Sequence, residues 1–369
     1  MAPDPPPHPW GEPPWQIDAA IPRAPLPAHV EVAVVGAGFT GLAAALRCAE
    51  RGASVHVFEA GAIGAGASGR SGGIALEGTA AGPLPDADAC LPALEALVAE
   101  HGIDCDLVLD GCCTVRHVPG DPPPPPPAWP DEGGWLRVDG REPGGSLDPG
   151  KLVAGLARAA LRAGAVVHPH APVTAVEPGP PTALQIGERR VRAERVVLAV
   201  NAFLPRFLPD AGIRPALTLA LATEPLAPDV LAAVGLGATP FYTADLPYLW
   251  GRATRDGRLV IGAGLAFDDA GRVERVGLER PDVREALARV AARLRGLHPA
   301  LARVAITHAW GGPIAFRAGG VPILAEIAPG VLATGACAGH GVALAAAVGA
   351  LAARWAREGA ALPPWGRPA

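Results

Sequence analysis

Between Glu31 and Ala60 the polar and apolar positions change rhythm three times. "EVAVVGAG" is apolar without a break until its glycines, "FTGLAAALRCAERG" carries apolar residues at helical spacing, and "ASVHVFEA" returns to an apolar run that closes on Glu59 and Ala60. An unbroken apolar run suits a strand buried on both faces, so the order strand, glycine turn, helix, strand predicts a parallel sheet. A glycine-rich stretch, "GAIGAGASGRSGG", comes next, and then a helix around Leu91 to His101. "LDPGKLVAGLARAALRAG" predicts another helix, with Asp148 at the N-cap, Pro149 at the first helical position and Gly164 at the stop. Strands are expected at "AVVHPH", "VTAVEP" and "RAERVVLAVNAF". Near the end a strand "GVLATGA", the turn "CAGHG" and a helix "VALAAAVGALAARWARE" restore the first pattern.

Residues 206–305 read differently. "ALTLALATEP" and "YLWGRATRDGRLVIGAG" predict antiparallel strands, the second a hairpin turning at Asp256-Gly257, and a helix over Asp282 to Leu297 closes the lobe. Two proline-rich stretches interrupt the pattern. Residues 1–28 are expected to run as extended chain over the surface. "PGDPPPPPPAWPDEGG" at 119–134 can hold neither helix nor central strand, because proline lacks the amide hydrogen, and is read as a surface loop. The fold class predicted is α/β, a Rossmann-like nucleotide-binding domain with an inserted α+β substrate domain on an antiparallel sheet. Residues 29–80, 146–205 and 306–360 are assigned to the first domain, and 81–145 and 206–305 to the second.

Composition narrows the classes. Half of the 369 residues are apolar and the net charge is only −5. No stripe of basic residues marks a nucleic-acid or anionic-membrane partner, and no uncharged stretch reaches spanning length. Six cysteines form no CxxC pair, and the N-terminus "MAPDPPPHPWGEPPW" has neither the charged nor the apolar region of a signal peptide. Reduced thiols in a cytoplasmic protein are expected.

Gly36, Gly38 and Gly41 have the GxGxxG spacing between strand and helix. The first glycine permits a tight turn, the second lets a diphosphate approach the backbone, and the third lets helix and strand pack closely. The helix start at Phe39 and Thr40 then offers amide hydrogens and partial positive charge to phosphate. Glu59 ends the next strand about 20 residues on, where a carboxylate grips ribose hydroxyls and repels a 2′-phosphate. FAD or NAD therefore fits better than NADP. Ser68, Gly69, Arg70, Ser71, Gly72 and Gly73 offer hydroxyls, a cation and close backbone amides to a diphosphate and a flavin edge. Gly339, His340, Gly341 and Val342 begin a long helix, whose amides can stabilise negative charge on a flavin pyrimidine ring.

The segment "GAGASGRSGG" resembles the second flavin-binding segment of the D-amino-acid-oxidase-like superfamily of FAD-dependent oxidoreductases. "GIDCDLVLDGC", "APVTAVE", "RAERVVLAVNAF", "WGGPIAF" and "GACAGHGVALAAAVGALAA" are similar to further family segments, so the resemblance covers most of the chain. The nearest branch looks like the gamma-glutamylputrescine oxidase-like amine oxidases. The resemblance implies that Val173, Ala199 and Asn201 also meet the cofactor, and that His340 to Val342 lie at the flavin. The covalent flavin cysteine of some members would fall near Trp310 to Pro313, where this chain has none, so non-covalent FAD is implied.

Tyr248, Trp250 and Arg252 alternate in sequence and are expected to share one face of a strand over the flavin, with Tyr242 and Trp310 extending an aromatic wall. Such a wall attracts cations. Members that oxidise alpha-amino acids hold the carboxylate with an arginine whose place falls near Ile314, with Arg317 three residues away. The lysine that speeds oxygen reaction in other members has no counterpart beyond Lys151. The reading favoured is oxidation of a primary or secondary amine to an imine, which water hydrolyses to an aldehyde plus amine or ammonia. Oxygen, leaving as hydrogen peroxide, or another acceptor takes the electrons. Tyr248, Trp250, Arg252 and His340 are the candidate catalytic residues. Two alternatives stay open. One is an N-substituted amino acid or hydroxy acid held by Arg252 or Arg317. The other is a non-catalytic FAD-binding subunit, suggested by apparently shortened regions near 80–90 and 119–145.

Overall fold

The computed structural model describes residues 9–120, 127–235 and 239–367. Its first sheet runs in the order Ile323–Ala328, Val331–Gly335, Arg189–Leu198, His29–Val35, Val55–Phe58, Val166–His168. The four neighbour pairs from Val331–Gly335 to Val166–His168 are parallel, and Ile323–Ala328 joins one edge antiparallel. A hairpin, Val173–Glu177 with Thr182–Ile186, continues from Arg189–Leu198. Alternation with period two sends Val32 and Val34 to one core and Ala33 and Val35 to the other. The first core is covered by α1 (Phe39–Glu50), α2 (Cys90–Glu100), α3 (Pro149–Arg162) and, after α4 (Pro228–Val234) and α5 (Pro281–Gly296), by α6 (Gly341–Glu358). Asp148 caps α3 as expected, its carboxylate accepting from Lys151 N at 2.8 Å. Helices α1 and α6 approach closely because Gly349 has no side chain: a Cβ there would stand 2.7 Å from Ala43 Cβ.

The second sheet has the order Ile306–Phe316, Arg214–Pro225, Arg258–Ala266, Trp250–Ala253, Phe241–Thr243, Cys112–Pro119, Gly134–Glu142, Ala128–Asp131. All its pairs are antiparallel except Phe241–Thr243 with Cys112–Pro119. The hairpin at Asp256-Gly257 is present, with Gly257 at φ +84°. Helix α5 packs its Val290 and Leu294 on one face. The opposite face, with Ala220, Val260 and Trp310, looks toward the glycine-rich segments.

Several details depart from the sequence reading. Within 119–134, residues 121–126 lie outside the described part, but Ala128–Asp131 forms a strand rather than loop. It is an edge strand, the place where proline is tolerated. Ile306–Phe316 pairs into the second sheet, and α2 packs in the core of the first half. The N-terminal segment, described from residue 9, is extended but does not merely cross the surface. Trp10 is buried and stacks on Phe203 at 6.3 Å, and its carbonyl accepts from Gly311 N at 2.8 Å. Among the described residues no helix is long and apolar enough to cross a membrane.

Candidate active site

The first glycine turn is shaped by backbone crowding. Gly36 sits at φ +104°, where a Cβ would be 2.5 Å from Ala199 O, and a Cβ on Gly41 would be 1.9 Å from Gly36 O. Helix α1 starts with Gly38 as N-cap and without a side-chain cap from that residue. Ser68, from the second glycine-rich segment, accepts from Phe39 N at 2.9 Å and so joins the two segments. Glu59 spends both oxygens on this neighbourhood, accepting from Ala37 N at 2.8 Å and from Gly61 N at 2.9 Å. Ala60 beside it is exposed, and Val173 is half-buried on the hairpin strand.

Between the two sheets lies a cavity of about 990 Å³, within the usual size for a bound organic ligand. Gly38, Phe39, Thr40, Ser68, Arg70, Ser71 and Gly72 line it from the two glycine segments. Ala199, Asn201, Gly339, Gly341 and Val342 line it from the ends of the first sheet. Gly36, Gly41, Glu59, Gly69 and Gly73 are not lining groups; they hold the backbone that is. Asn201 is at φ +40°, and its Oδ1 is buried with no partner among the described residues. A chain turned this way and an acceptor left unsatisfied on a cavity wall fit a large polar ligand. The start of α1, where Gly38 brings no side chain and Thr40 faces the cavity, fits that ligand's anionic part.

The loop into α6 is equally unusual. Ala336, Ala338 and Gly339 have φ of +55°, +47° and +92°, conformations that cost a non-glycine residue energy. His340 follows as the N-cap of α6. Its ring does not line the cavity; Nδ1 turns back to within 3.3 Å of Ala338 O, and burial holds its pKa below the ordinary histidine value. The expected direct role of His340 is therefore not what its side chain is placed to do.

Two arginines change their expected part. Arg70 does not present a free cation to the cavity: it donates to Ala65 O at 3.1 Å and Gly11 O at 2.6 Å, and lies over the Trp10 ring. Arg252 is 4 % exposed and donates through Nε to Gly72 O. Burial lowers it to about 10, against the pull of Asp148 and Asp106. It shares the face of Trp250, as alternation requires, but sits beneath the cavity wall. Arg317 donates to Arg367 O at 2.8 Å, and Lys151 pairs with Asp106 at 2.8 Å; neither lines the cavity.

The roof is aromatic. Tyr242, Tyr248, Trp250 and Trp310 all line the cavity. Trp250 lies flat against two glycines, since a Cβ on Gly72 or Gly262 would come within 2.2 or 2.0 Å of its ring. The strand begins only at Trp250, so Tyr248 belongs to the loop before it. Sequence reasoning missed what holds that loop. Arg293 of α5 pairs with Asp131 at 2.6 Å and donates to the carbonyls of Pro247 and Tyr248. His117 bridges Asp131 and Asp245 at 2.9 and 2.7 Å. Burial alone would raise the Asp131 carboxyl, but Arg293 and His117 bring it below its ordinary value. Glu142 was missed too: Tyr242 donates its hydroxyl to it at 2.6 Å. Burial first, and then the carboxylate, push the Tyr242 hydroxyl far above its usual range. Asp131 lies in the stretch 119–134 that reads as loop, Glu142 ends the strand Gly134–Glu142 beyond it, and no spacing marks either.

A parallel sheet with a glycine turn at a helix start, roofed by an antiparallel sheet across one large cavity, defines a dinucleotide-dependent oxidoreductase. The family model described as "DAO: FAD dependent oxidoreductase" matches residues 31–124 and 127–355, and the chain belongs to that family. It is similar to "Probable oxidoreductase OrdL" of Rhizobium meliloti, 27% identical over 390 residues, covering 92% of this chain and 87% of the relative. It is also similar to gamma-glutamylputrescine oxidoreductase of Escherichia coli, 27% identical over 376 residues and covering 89% and 83%. Among solved structures, L-proline dehydrogenase from P. horikoshii superposes with a TM-score of 0.75 at 20% identity, covering 93% of this chain and 98% of that one. Glycine oxidase from Geobacillus kaustophilus gives 0.69 at 20% identity, covering 90% and 95%. These likenesses bear out the family resemblance and the fold class read from the sequence.

Proposed function

We propose that the chain oxidises the carbon–nitrogen bond of a small primary or secondary amine, using non-covalently held FAD and passing the electrons to oxygen. FAD, when bound, supplies a two-electron acceptor beside the substrate carbon. The observation that carries the amine is the roof over Gly72: Tyr242, Tyr248 and Trp250 offer aromatic faces, and Arg70 and Arg252 beside it are both committed to backbone carbonyls. Nothing at Ile314, which also lines the cavity, can hold a carboxylate there. The single hydrogen of the Tyr242 hydroxyl is given to Glu142. Its lone pairs are thereby left to accept an amine N–H and orient a neutral amine. Trp250 and Trp310 keep water from the reacting end. Non-covalent binding is supported by the segment Trp310 to Pro313, which holds no cysteine. Six free cysteines support the cytoplasmic reading.

A second reading, an N-substituted amino acid, is favoured by one observation. Arg289 of α5 lines the cavity and is exposed, bonded only through one nitrogen to Glu285, so a substrate carboxylate remote from the reacting carbon can share it. The test is the visible spectrum of the purified protein before and after anaerobic addition of an amine panel. Bleaching by amines supports the first reading; bleaching only by carboxylated analogues supports the second. Bleaching by a hydroxy acid alone overturns both, and a protein that retains no FAD removes the basis of either.

A further inference from the structure

Three backbone carbonyls of the segment Ser68 to Gly73 are each held by a side chain from a distant part of the chain. Trp15 Nε1 donates to Gly69 O at 2.7 Å, Trp310 Nε1 to Arg70 O at 2.9 Å, and Arg252 Nε to Gly72 O. The three donors also pack on one another. Trp15 meets Trp310 edge-on, with ring centroids 5.4 Å apart at 83°, and the Arg252 guanidinium lies 5.9 Å from the Trp15 ring centroid. From the other end Arg70 reaches back to Gly11 O, so the N-terminal stretch around Trp10 to Trp15 is packed behind the cavity wall and tied to it.

Burying a guanidinium beside rings and carbonyls, with no carboxylate bonded to it, is unfavourable unless its donors are used. Arg252 is in that position, and its Nε is spent on a carbonyl of the cavity wall rather than on a scaffold strand. Direction follows from the peptide unit. A trans peptide is planar, so the C=O of one residue and the N–H of the next point opposite ways. With Arg70 O turned to Trp310, the N–H of Ser71 points away from Trp310, at the turn that closes the short helix Ser68–Arg70. Ser71 and Gly72 both line the cavity.

We propose that Trp15, Trp310 and Arg252 form a positioning set for the cofactor: by holding these three carbonyls they fix the direction of the Ser71 N–H and the height of Gly72, and so set how strongly the site prefers reduced over oxidised flavin. This rests on the FAD reading above but not on the identity of the amine. An amide whose direction is fixed in advance stabilises charge developing on its acceptor without reorganising. The set acts through backbone, and none of its three donor atoms need touch substrate.

The test uses the full-length holoenzyme and two readouts other than turnover: the flavin midpoint potential by anaerobic dye equilibration, and the FAD dissociation constant. Trp15→Phe keeps the ring and removes the donor; Arg252→Met removes a donor that Arg252→Lys retains. The expected result for Trp15→Phe is about a tenfold change in relative affinity for the two flavin states. For a two-electron couple that is about 30 mV. FAD is bound about tenfold more weakly, while melting of the FAD-free protein is unchanged. Arg252→Lys is expected to recover most of what Arg252→Met loses. A wild-type potential and affinity in Trp15→Phe overturn the proposal, as does a variant in which only melting of the FAD-free protein moves. If the wild-type chain binds no FAD, the underlying reading fails and the proposal with it. If it binds FAD and the variants are indistinguishable from it, the proposal alone fails.

Discussion

The two glycine-rich segments of the site are held in opposite ways. In the first, Gly36 to Gly41, the demands come from backbone sterics: Gly36 O faces Gly41 within the turn itself, and Ala199 O, just past the neighbouring strand, faces Gly36. In the second, the carbonyls of Gly69, Arg70 and Gly72 are gripped by side chains 54, 240 and 180 positions away. A steric requirement within one turn leaves its mark as spacing. A long-range donor leaves none, because nothing around Trp15 or Arg252 in the sequence says which carbonyl it will meet. The roof loop before Trp250 is of the second kind, fastened by Arg293 and Asp131 from different elements.

The largest expected effect sharpens the long-range side. Arg293→Met leaves Asp131, whose side chain is 1% exposed, without its guanidinium, and should cost about 3–5 kcal/mol in urea unfolding at neutral pH. The Asp131 carboxyl is held below its ordinary value in the fold. Its contribution is therefore complete above the unfolded value of about 4 and is lost as pH falls through the native value. The gap between wild type and variant should narrow at about pH 3.5; an equal gap at both pH values would show that the ion pair is not its source.

Next in size, Gly41→Ala places a Cβ against backbone that cannot move, at 1.9 Å from Gly36 O. A loss of about 3 kcal/mol in unfolding, with FAD no longer retained on purification, is expected. Gly72→Ala meets the Trp250 ring instead, at 2.2 Å, and a side chain can give way. About 1 kcal/mol should be lost, with an altered flavin spectrum and a raised KM for amines. Equal losses in the two glycine variants would break the contrast between backbone and side-chain control. Smallest of all, His340→Ala should lower kcat less than about tenfold, because its ring is turned to Ala338 O. A drop of about 100-fold or more, the range of lost proton-transfer catalysis, would return the imidazole to the chemistry.

Much of the architecture is legible in the residues. The apolar run into Gly36, the Asp148-Pro149 helix start and the Asp256-Gly257 hairpin all stand where local chemistry calls for them. Element boundaries at α2 and α5 agree within a residue or so. What misled was equally physical. Proline marks a place where a ladder must have an unpaired edge, and Ala128–Asp131 uses such an edge to become a strand. Arg70 and Arg252 are the right types for anion binding, yet whether a guanidinium meets a ligand or a carbonyl depends on what the fold sets beside it.

Local sterics and hydrophobic periodicity acted within about a turn or a strand of each residue, and they were enough to specify the glycine turn, its helix and the two kinds of sheet. The wall of the cavity was settled elsewhere. Trp15, Trp310 and Arg252 acquire their partners only once the two sheets are packed, and Arg293 only once α5 lies on the second sheet, because hydrogen bonds and buried charge respond to neighbours in space rather than along the chain.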